Sequence, residues 1–205
     1  TPLAIRALEC LFALSAGIQT SEYLRMRSAM NEHGLWSWAI QRQDIPNPLA
    51  QKFFDRLFTE NAFSALLWAR VIALISLGFY GANLVNVTFL FVSNLAVLIR
   101  WRGAFNGGSD FMTMVVLTGL LVSQLAQPIV GPVIAWRAGL WYITIHAISS
   151  YFISGAIKLI SGDWRSGRVF SLAYYAGPQA IAVAEDAYRR FSGENALSTD
   201  AFPSL

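Results

Sequence analysis

The sequence predicts an all-α protein, a multi-pass transmembrane helix bundle of about five spanning helices plus interfacial helices. Hydrophobic residues make up 55% of the 205 positions and charged residues only 13%, whereas soluble domains carry roughly 25% charged residues. So few charges cannot cover a globular surface in water. The second observation is a series of apolar runs close to the ~20 residues that a helix needs to cross a bilayer.

Charged and polar residues divide one predicted domain, residues 1–191, into spans. The spans cover about residues 3–20, 62–80, 82–99, 111–127 and 133–160. The last is long enough to tilt or to extend beyond the hydrocarbon. The first contains Arg6 and Glu9 and lacks a basic leading region, which favours a retained helix over a cleaved signal peptide. These two residues are three apart and are expected to pair on one helix face.

Segments outside the spans are predicted to lie at the membrane surface or in solution. The tryptophan-containing stretch 34–40 is typical of a short interfacial helix, and Pro46 and Pro48 are expected to end it. Residues 169–184 are apolar but interrupted by a Gly-Pro pair, which indicates an interfacial or re-entrant segment. Residues 192–205 are predicted to be a loose tail.

The basic residues predict the orientation of the chain in the membrane. With five spans, one side holds Arg25, Arg27, Arg42, Lys52, Arg56, Arg100, Arg102, Lys158, Arg165, Arg168, Arg189 and Arg190. The opposite loops, Gly81 and residues 128–132, hold neither lysine nor arginine. The positive-inside rule then predicts a cell inner-membrane protein with its N-terminus outside and its C-terminus cytoplasmic. Contacts with anionic lipids follow, and nucleic-acid binding is not expected.

Two polar features inside or beside the spans are candidate contact sites. Arg70 lies well inside the second span, so its guanidinium should face the bundle and meet a carboxylate or backbone carbonyls. Arg70 is expected either to make a structural pairing of this kind or to contact a substrate. Before the fourth span, the Asn106-Gly-Gly-Ser109-Asp110 segment predicts an N-cap at Ser109 with Asp110 complementing the helix end. The alternative is that its backbone N–H groups converge on an anion or carbonyl beside Asp110.

The fifth span carries polar residues at intervals of four. They are Tyr142, His146, Ser150, Ser154 and Lys158. Such a row drifts by about 40° per step, so neighbours touch while the ends diverge. His146 is expected to make a buried interhelical hydrogen bond, and it is the one candidate axial donor to a pigment within a span. Lys158, in the last turn, must snorkel, pair or take part in chemistry.

The segment around Lys158 resembles the vitamin K-dependent γ-glutamyl carboxylase family and its bacterial HTTM relatives. The family signature matches Tyr151, Phe152, Gly155, Lys158, Leu159, Trp164 and Gly167. Residues 106–110 are similar to the family pattern before a membrane helix. The resemblance implies that Lys158 is a base. Gly108 stands where the carboxylases have a histidine, and Lys158 falls on the predicted cytoplasmic side, so carboxylation of protein glutamates is not expected.

Two functions follow as hypotheses. The first is a non-catalytic or partner-dependent subunit, packed with other integral membrane proteins in a larger complex such as a respiratory or photosynthetic assembly. The second is a small enzyme in which Lys158 is a base on a quinone-like or lipidic substrate, Asp110 and His146 relay protons, and Arg165 stabilises charge. Asn106, Ser109, Trp164, Arg165 and Arg70 are the predicted substrate or lipid contacts. The cofactor stays open between a quinone, a pigment and a structural lipid, and no metal site is predicted because no ligand spacing is present.

Overall fold

In a computed structural model, residues 2–26, 37–101 and 107–167 are described, and they form helices joined by turns with no strand among them. The helices are α1 (Pro2–Arg25), α2 (Trp38–Gln41), α3 (Pro48–Leu57), α4 (Glu60–Tyr80), α5 (Leu84–Arg100), α6 (Gly107–Val130), α7 (Pro132–Ile160) and α8 (Gly162–Arg165). The all-α prediction is confirmed for this part of the chain. Residues 34–36 and the predicted segments 169–184 and 192–205 lie outside it.

Within the described residues, four helical stretches are long and apolar enough to cross a membrane. They are Leu3–Arg25, Glu60–Tyr80, Asp110–Val130 and Pro132–Ile160. Helices of this length and composition are those of a membrane protein. The predicted third span corresponds to α5, a shorter apolar helix of 17 residues, which is about 26 Å long at 1.5 Å per residue.

The chain divides into two compact units, Thr1–Ile148 and Ser149–Leu205. In the first unit, successive long helices run antiparallel. The start of α1 contacts the end of α4, because Arg6 donates to the Gly78 carbonyl. The later part of α1 contacts the middle of α4, because Thr20 accepts from Arg70. The start of α1, the α4–α5 turn and the α6–α7 turn therefore lie at one end, which we call the turn end.

The described residues of the first unit form two apolar clusters. The cluster nearer the turn end consists of Phe12, Ala16, Ala73, Leu74, Leu77, Val87, Leu90, Leu117 and Leu120. The other consists of Phe58, Phe63, Leu67, Ala96, Val97 and Trp101. Arg70 is completely buried, and its position in α4 falls between Leu67 of one cluster and Ala73 of the other. A layer of polar contacts therefore separates the two clusters.

The ends of α6 correct two predictions. The helix begins at Gly107, so Ser109 lies within the first turn and is not the N-cap, because both preceding glycines are already helical. The predicted loop around residues 128–132 is present but shorter than expected, with only Gly131 between the two helices. The helix continues through Pro128 to Val130, since proline needs only a local adjustment in an apolar helix. Gly131, with φ of +81°, ends it instead.

A close approach of α6 and α7 depends on small residues. Gly119 and Ser123 of α6 face Gly139 of α7, and a Cβ atom at Gly139 would overlap the Ser123 Oγ and the Gly119 carbonyl oxygen. Ser123 donates to that same carbonyl at 2.8 Å, which satisfies its buried hydroxyl. Small residues allow this contact because they bring two helix backbones together, the usual basis of helix association in lipid.

The segment before α4 is held together by hydrogen bonds around Asp55, which we call the Asp55 anchor. Asn47 caps α3 by accepting from Leu49 N at 2.9 Å, and Pro48 occupies the first helical position, where its missing N–H costs nothing. Asp55 accepts hydrogen bonds from Arg42 Nε and Trp38 Nε1, both at 2.8 Å. These two hydrogen bonds hold the pKa of the Asp55 carboxyl below its usual value, and the bond from Arg42 has the larger effect. As predicted, the preceding helical stretch ends before Pro46.

Candidate functional site

The signature segment places Lys158 in the last turn of α7. Its side chain is exposed, and its ammonium nitrogen lies 4.8 Å from the centroid of the Trp164 ring. Trp164 belongs to α8, a single turn that follows Ser161. Gly167, with φ of +73°, comes just after it. The ring face attracts a cation, so this is a cation–π contact within the segment. Arg165 is exposed at the end of the same turn.

Arg70 of α4 is held by hydrogen bonds to groups on two neighbouring helices, α1 and α5. Its nitrogen atoms donate to Thr20 Oγ1 of α1 at 3.2 Å, and in α5 to Ser93 Oγ at 3.1 Å and Asn94 Oδ1 at 2.7 Å. The Leu90 carbonyl is a fourth acceptor at 3.3 Å. The prediction that Arg70 faces the bundle and meets a backbone carbonyl is confirmed. We call Thr20, Arg70, Ser93 and Asn94 the polar layer.

Asp110 is buried beside the last turns of α1. Gln19 Nε2 donates to its Oδ1 at 2.5 Å, and the Tyr23 hydroxyl lies 3.4 Å from the same oxygen. The Tyr23 ring also stacks on Trp101, with centroids 5.3 Å apart. Asp110 therefore ties the start of α6 to the end of α1. Thr20 of the polar layer lies on that same stretch of α1, so one helix links the Asp110 contacts to those of Arg70.

His146 makes its contacts within α7. Its Nδ1 lies 2.9 Å from the Tyr142 carbonyl oxygen, an arrangement in which the ring nitrogen donates. The two rings pack with centroids 4.1 Å apart. The expectation of an interhelical hydrogen bond is therefore not met by this nitrogen. This nitrogen of His146 is instead hydrogen-bonded to the backbone of its own helix, one turn earlier.

The predicted site residues belong to both compact units. Asp110 and Arg70 contact neighbouring positions of α1 in the first unit, whereas Lys158, Trp164 and Arg165 belong to the second unit. Asn106 lies outside the described residues, and of Ser109 only the helical position is described. Among the residues that the structure describes, no group of three histidine, cysteine, aspartate or glutamate residues could hold a metal ion.

Sequence reasoning missed the α1 residues that contact Arg70 and Asp110. Gln19, Thr20 and Tyr23 are polar groups near the end of an apolar run, and Tyr23 follows the other two by four and three residues, which places it on the same side of the helix as both. That spacing is the signal by which they could have been found. Comparison with protein-family models, with curated proteins and with solved structures finds no match.

Proposed function

We propose that the chain is an integral membrane subunit, similar in fold to the HTTM proteins, that packs into a larger membrane protein complex and is non-catalytic or dependent on its partners. A respiratory or photosynthetic assembly is an example of such a complex. The observation that carries this proposal is the end of α7. From Tyr151 to Ile160 no residue is buried, and Tyr151, Phe152 and Leu159 are each more than 70% exposed.

The surface of this part of α7 is suited to a neighbouring helix. Ser150 and Ser154 are small residues four apart, the spacing that lets helix backbones approach closely in lipid. Nothing lies within 4 Å of a Cβ atom built at Gly155. In contrast, the first part of α7 buries Ala135 and Gly139. Helices in lipid associate through van der Waals packing and hydrogen bonds, and this surface offers both.

The proposal includes five crossings of the inner membrane, with the N-terminus outside and the C-terminus cytoplasmic. The antiparallel packing of α5 on α4 supports it, since Asn86 donates to the Ala73 carbonyl at 3.0 Å and Arg70 reaches Asn94. A helix that lies beside a spanning helix over this length covers about the same depth. Its ~26 Å approaches the ~30 Å thickness of the hydrocarbon.

Purification from native membranes in a mild detergent tests the subunit role. The tagged chain should elute with a partner at fixed stoichiometry. Phe152→Ser and Ile157→Ser, on the exposed end of α7, should release that partner while the protein stays in the membrane. Ile72→Ser, on an exposed position of α4 (67% exposed), is the matched control and should leave the complex intact. A chain that elutes alone in every mild detergent contradicts the proposal.

Lys158→Met separates the subunit role from the enzymatic alternative. The ammonium of Lys158 lies against the Trp164 ring, a contact that supports a structural role for this lysine. We therefore expect Lys158→Met to assemble normally and to leave the activity of the whole complex within about twofold. Loss of activity in an intact, stoichiometric complex would instead favour Lys158 as a base on a quinone-like or lipidic substrate.

A further inference from the structure

The turn end of the first unit contains a cleft of about 560 Å³, between the start of α1, the α4–α5 turn and the first turns of α7. We call it the turn-end cleft. Its volume is in the range of small-molecule sites. The residues that define its chemistry are Arg6, Glu9, Tyr80, Trp136, Arg137 and Leu140. It thus combines aromatic and aliphatic surface with three charged groups.

Two of the three charges in the turn-end cleft cancel. Glu9 is 2% exposed; its Oε2 accepts from Arg6 Nη1 and its Oε1 accepts from Ala82 N at 2.8 Å. Arg6 in turn donates from Nη2 to the Gly78 carbonyl at 2.7 Å. Both side chains are therefore committed to holding the α4–α5 turn against α1. The carboxylate has little capacity left to repel an anion.

Arg137 supplies the remaining charge. Its side chain is exposed, and within residues 2–26, 37–101 and 107–167 no hydrogen bond or ion pair holds its guanidinium. The net charge that the cleft presents is therefore positive. A guanidinium binds a phosphate with two parallel hydrogen bonds. A zwitterionic headgroup also carries a phosphate, but its own ammonium offsets the attraction to a positive cleft, so a net anionic lipid is favoured.

The positions along α7 arrange the cleft by depth. Arg137 is the sixth residue of the helix, about 8 Å along its axis from the first residue. Trp136 and Tyr80 carry amphipathic rings that suit the boundary between headgroups and hydrocarbon. Leu140 lies three residues further along the helix, on the hydrocarbon side of Arg137. The cleft therefore has a charged group, Arg137, at the level of the headgroups and an apolar surface at the level of the acyl chains, which matches the two parts of a phospholipid.

We propose that the turn-end cleft binds an anionic phospholipid, with its phosphate on Arg137 and an acyl chain against Trp136 and Leu140. The site is complete within the first unit and needs no partner protein. It is therefore independent of the proposed subunit role. Bound lipid would also cover the contacts of Arg6 and Glu9 that fasten the α4–α5 turn to α1.

Native mass spectrometry of the full chain, released from detergent with added lipid, tests this site. Phosphatidylglycerol should remain bound more strongly than phosphatidylcholine with the same acyl chains. Arg137→Gln should weaken phosphatidylglycerol binding about fivefold, the effect of one basic residue on an anionic lipid. Arg137→Lys should retain the preference. Arg56→Gln, which removes an exposed arginine of α3, is the matched control and should behave as the parent chain.

Fluorescence gives a second measurement that needs no charge variant. Phosphatidylglycerol with brominated acyl chains should quench a component of the tryptophan emission that Trp136→Phe removes. Equal binding of the two lipids, an unchanged affinity in Arg137→Gln, or quenching identical in the parent and Trp136→Phe would overturn the proposal. Inorganic phosphate that displaces the lipid at equal concentration would also overturn it, because the site would then be one for a soluble anion.

Discussion

At the scale of single residues, the polar layer shows how a buried cation is tolerated without a carboxylate among its hydrogen-bond partners. The acceptors of the Arg70 guanidinium are two hydroxyls, an amide and a backbone carbonyl, none of which carries a formal charge. Arginine cannot lose its proton inside a protein. Each acceptor therefore offsets part of the cost of removing a charge from water, and the loss of one leaves that cost unmet.

Asn94 provides the shortest of these contacts, so its replacement should be costly. Asn94→Leu is expected to lower the free energy of unfolding by about 1.5–3 kcal/mol, the range for hydrogen bonds to charged groups. Asn86→Leu is the matched control, since it removes a bond between the same two helices to a neutral carbonyl, and about 0.6 kcal/mol is expected there. Unfolding titrations in mixed micelles measure both. Equal losses for the two variants would contradict this account.

The Asp55 anchor should respond to acid. Bonds from Arg42 and Trp38 lower the pKa of the folded carboxyl below its ordinary value of 3.8, so the carboxylate stabilises the fold. Its contribution is complete above the ordinary pKa and is lost as the pH falls through the lower, folded pKa. The indole N–H resonance of Trp38 should therefore shift with a midpoint below 3.8. In Asp55→Asn the resonance should not titrate, and a midpoint at or above 3.8 in the parent would contradict the assignment.

At the scale of helices, the contact between α6 and α7 depends on the absence of a side chain at one position. Gly139→Ala places a Cβ atom against Ser123 and the Gly119 carbonyl, and overpacking of this kind costs about 1–3 kcal/mol. Gly155→Ala is the control on the same helix, where open space surrounds the new methyl and stability should hold or rise by up to about 1 kcal/mol. Thermal unfolding in detergent compares them. A Gly139→Ala protein as stable as Gly155→Ala would refute the contact.

The helices themselves were predictable from the sequence, because apolar length is a local property. The inward direction of Arg70 was also predictable, since a charged side chain within an apolar helix is destabilised by contact with lipid and must find polar partners inside the bundle. The hydrogen-bond partners on other helices were not predictable, because Thr20 and Tyr23 contact Arg70 and Asp110 only when α1 packs against α4 and α6. The loop predicted around residues 128–132 is shorter for a local reason: the helix tolerates Pro128, and Gly131 is the residue that ends it.

The turn-end cleft also lay beyond sequence reasoning. Arg6 and Arg137 are separated by more than a hundred residues, and neither belongs to the basic segments that predicted the orientation. Their proximity follows from the antiparallel order of the helices rather than from any motif. The contact between Lys158 and Trp164, by contrast, lies within the segment that the sequence had singled out, because the two residues are only six apart.

At the scale of the whole molecule, the number of crossings sets the side on which each turn lies. In a Cys10→Ala background, cysteines can be introduced at two exposed positions, Leu84 at the start of α5 and Ile129 near the end of α6. Five crossings place these two on the same side of the membrane, and a cysteine at Thr59 on the other. If α5 did not cross, Leu84 and Ile129 would react from opposite sides. Labelling of intact cells with an impermeant maleimide distinguishes these outcomes.

The depth of Arg70 has an electrical consequence. It is the eleventh of the 21 residues of α4, so a fixed positive charge stands near the middle of a spanning helix. A charge that crosses the full transmembrane voltage changes in energy by about 2.3 kcal/mol per 100 mV, and one at mid-depth by about half as much. A voltage across the membrane that holds this helix would therefore act on the guanidinium, and the hydrogen bonds to Asn94, Ser93 and Thr20 would oppose its displacement.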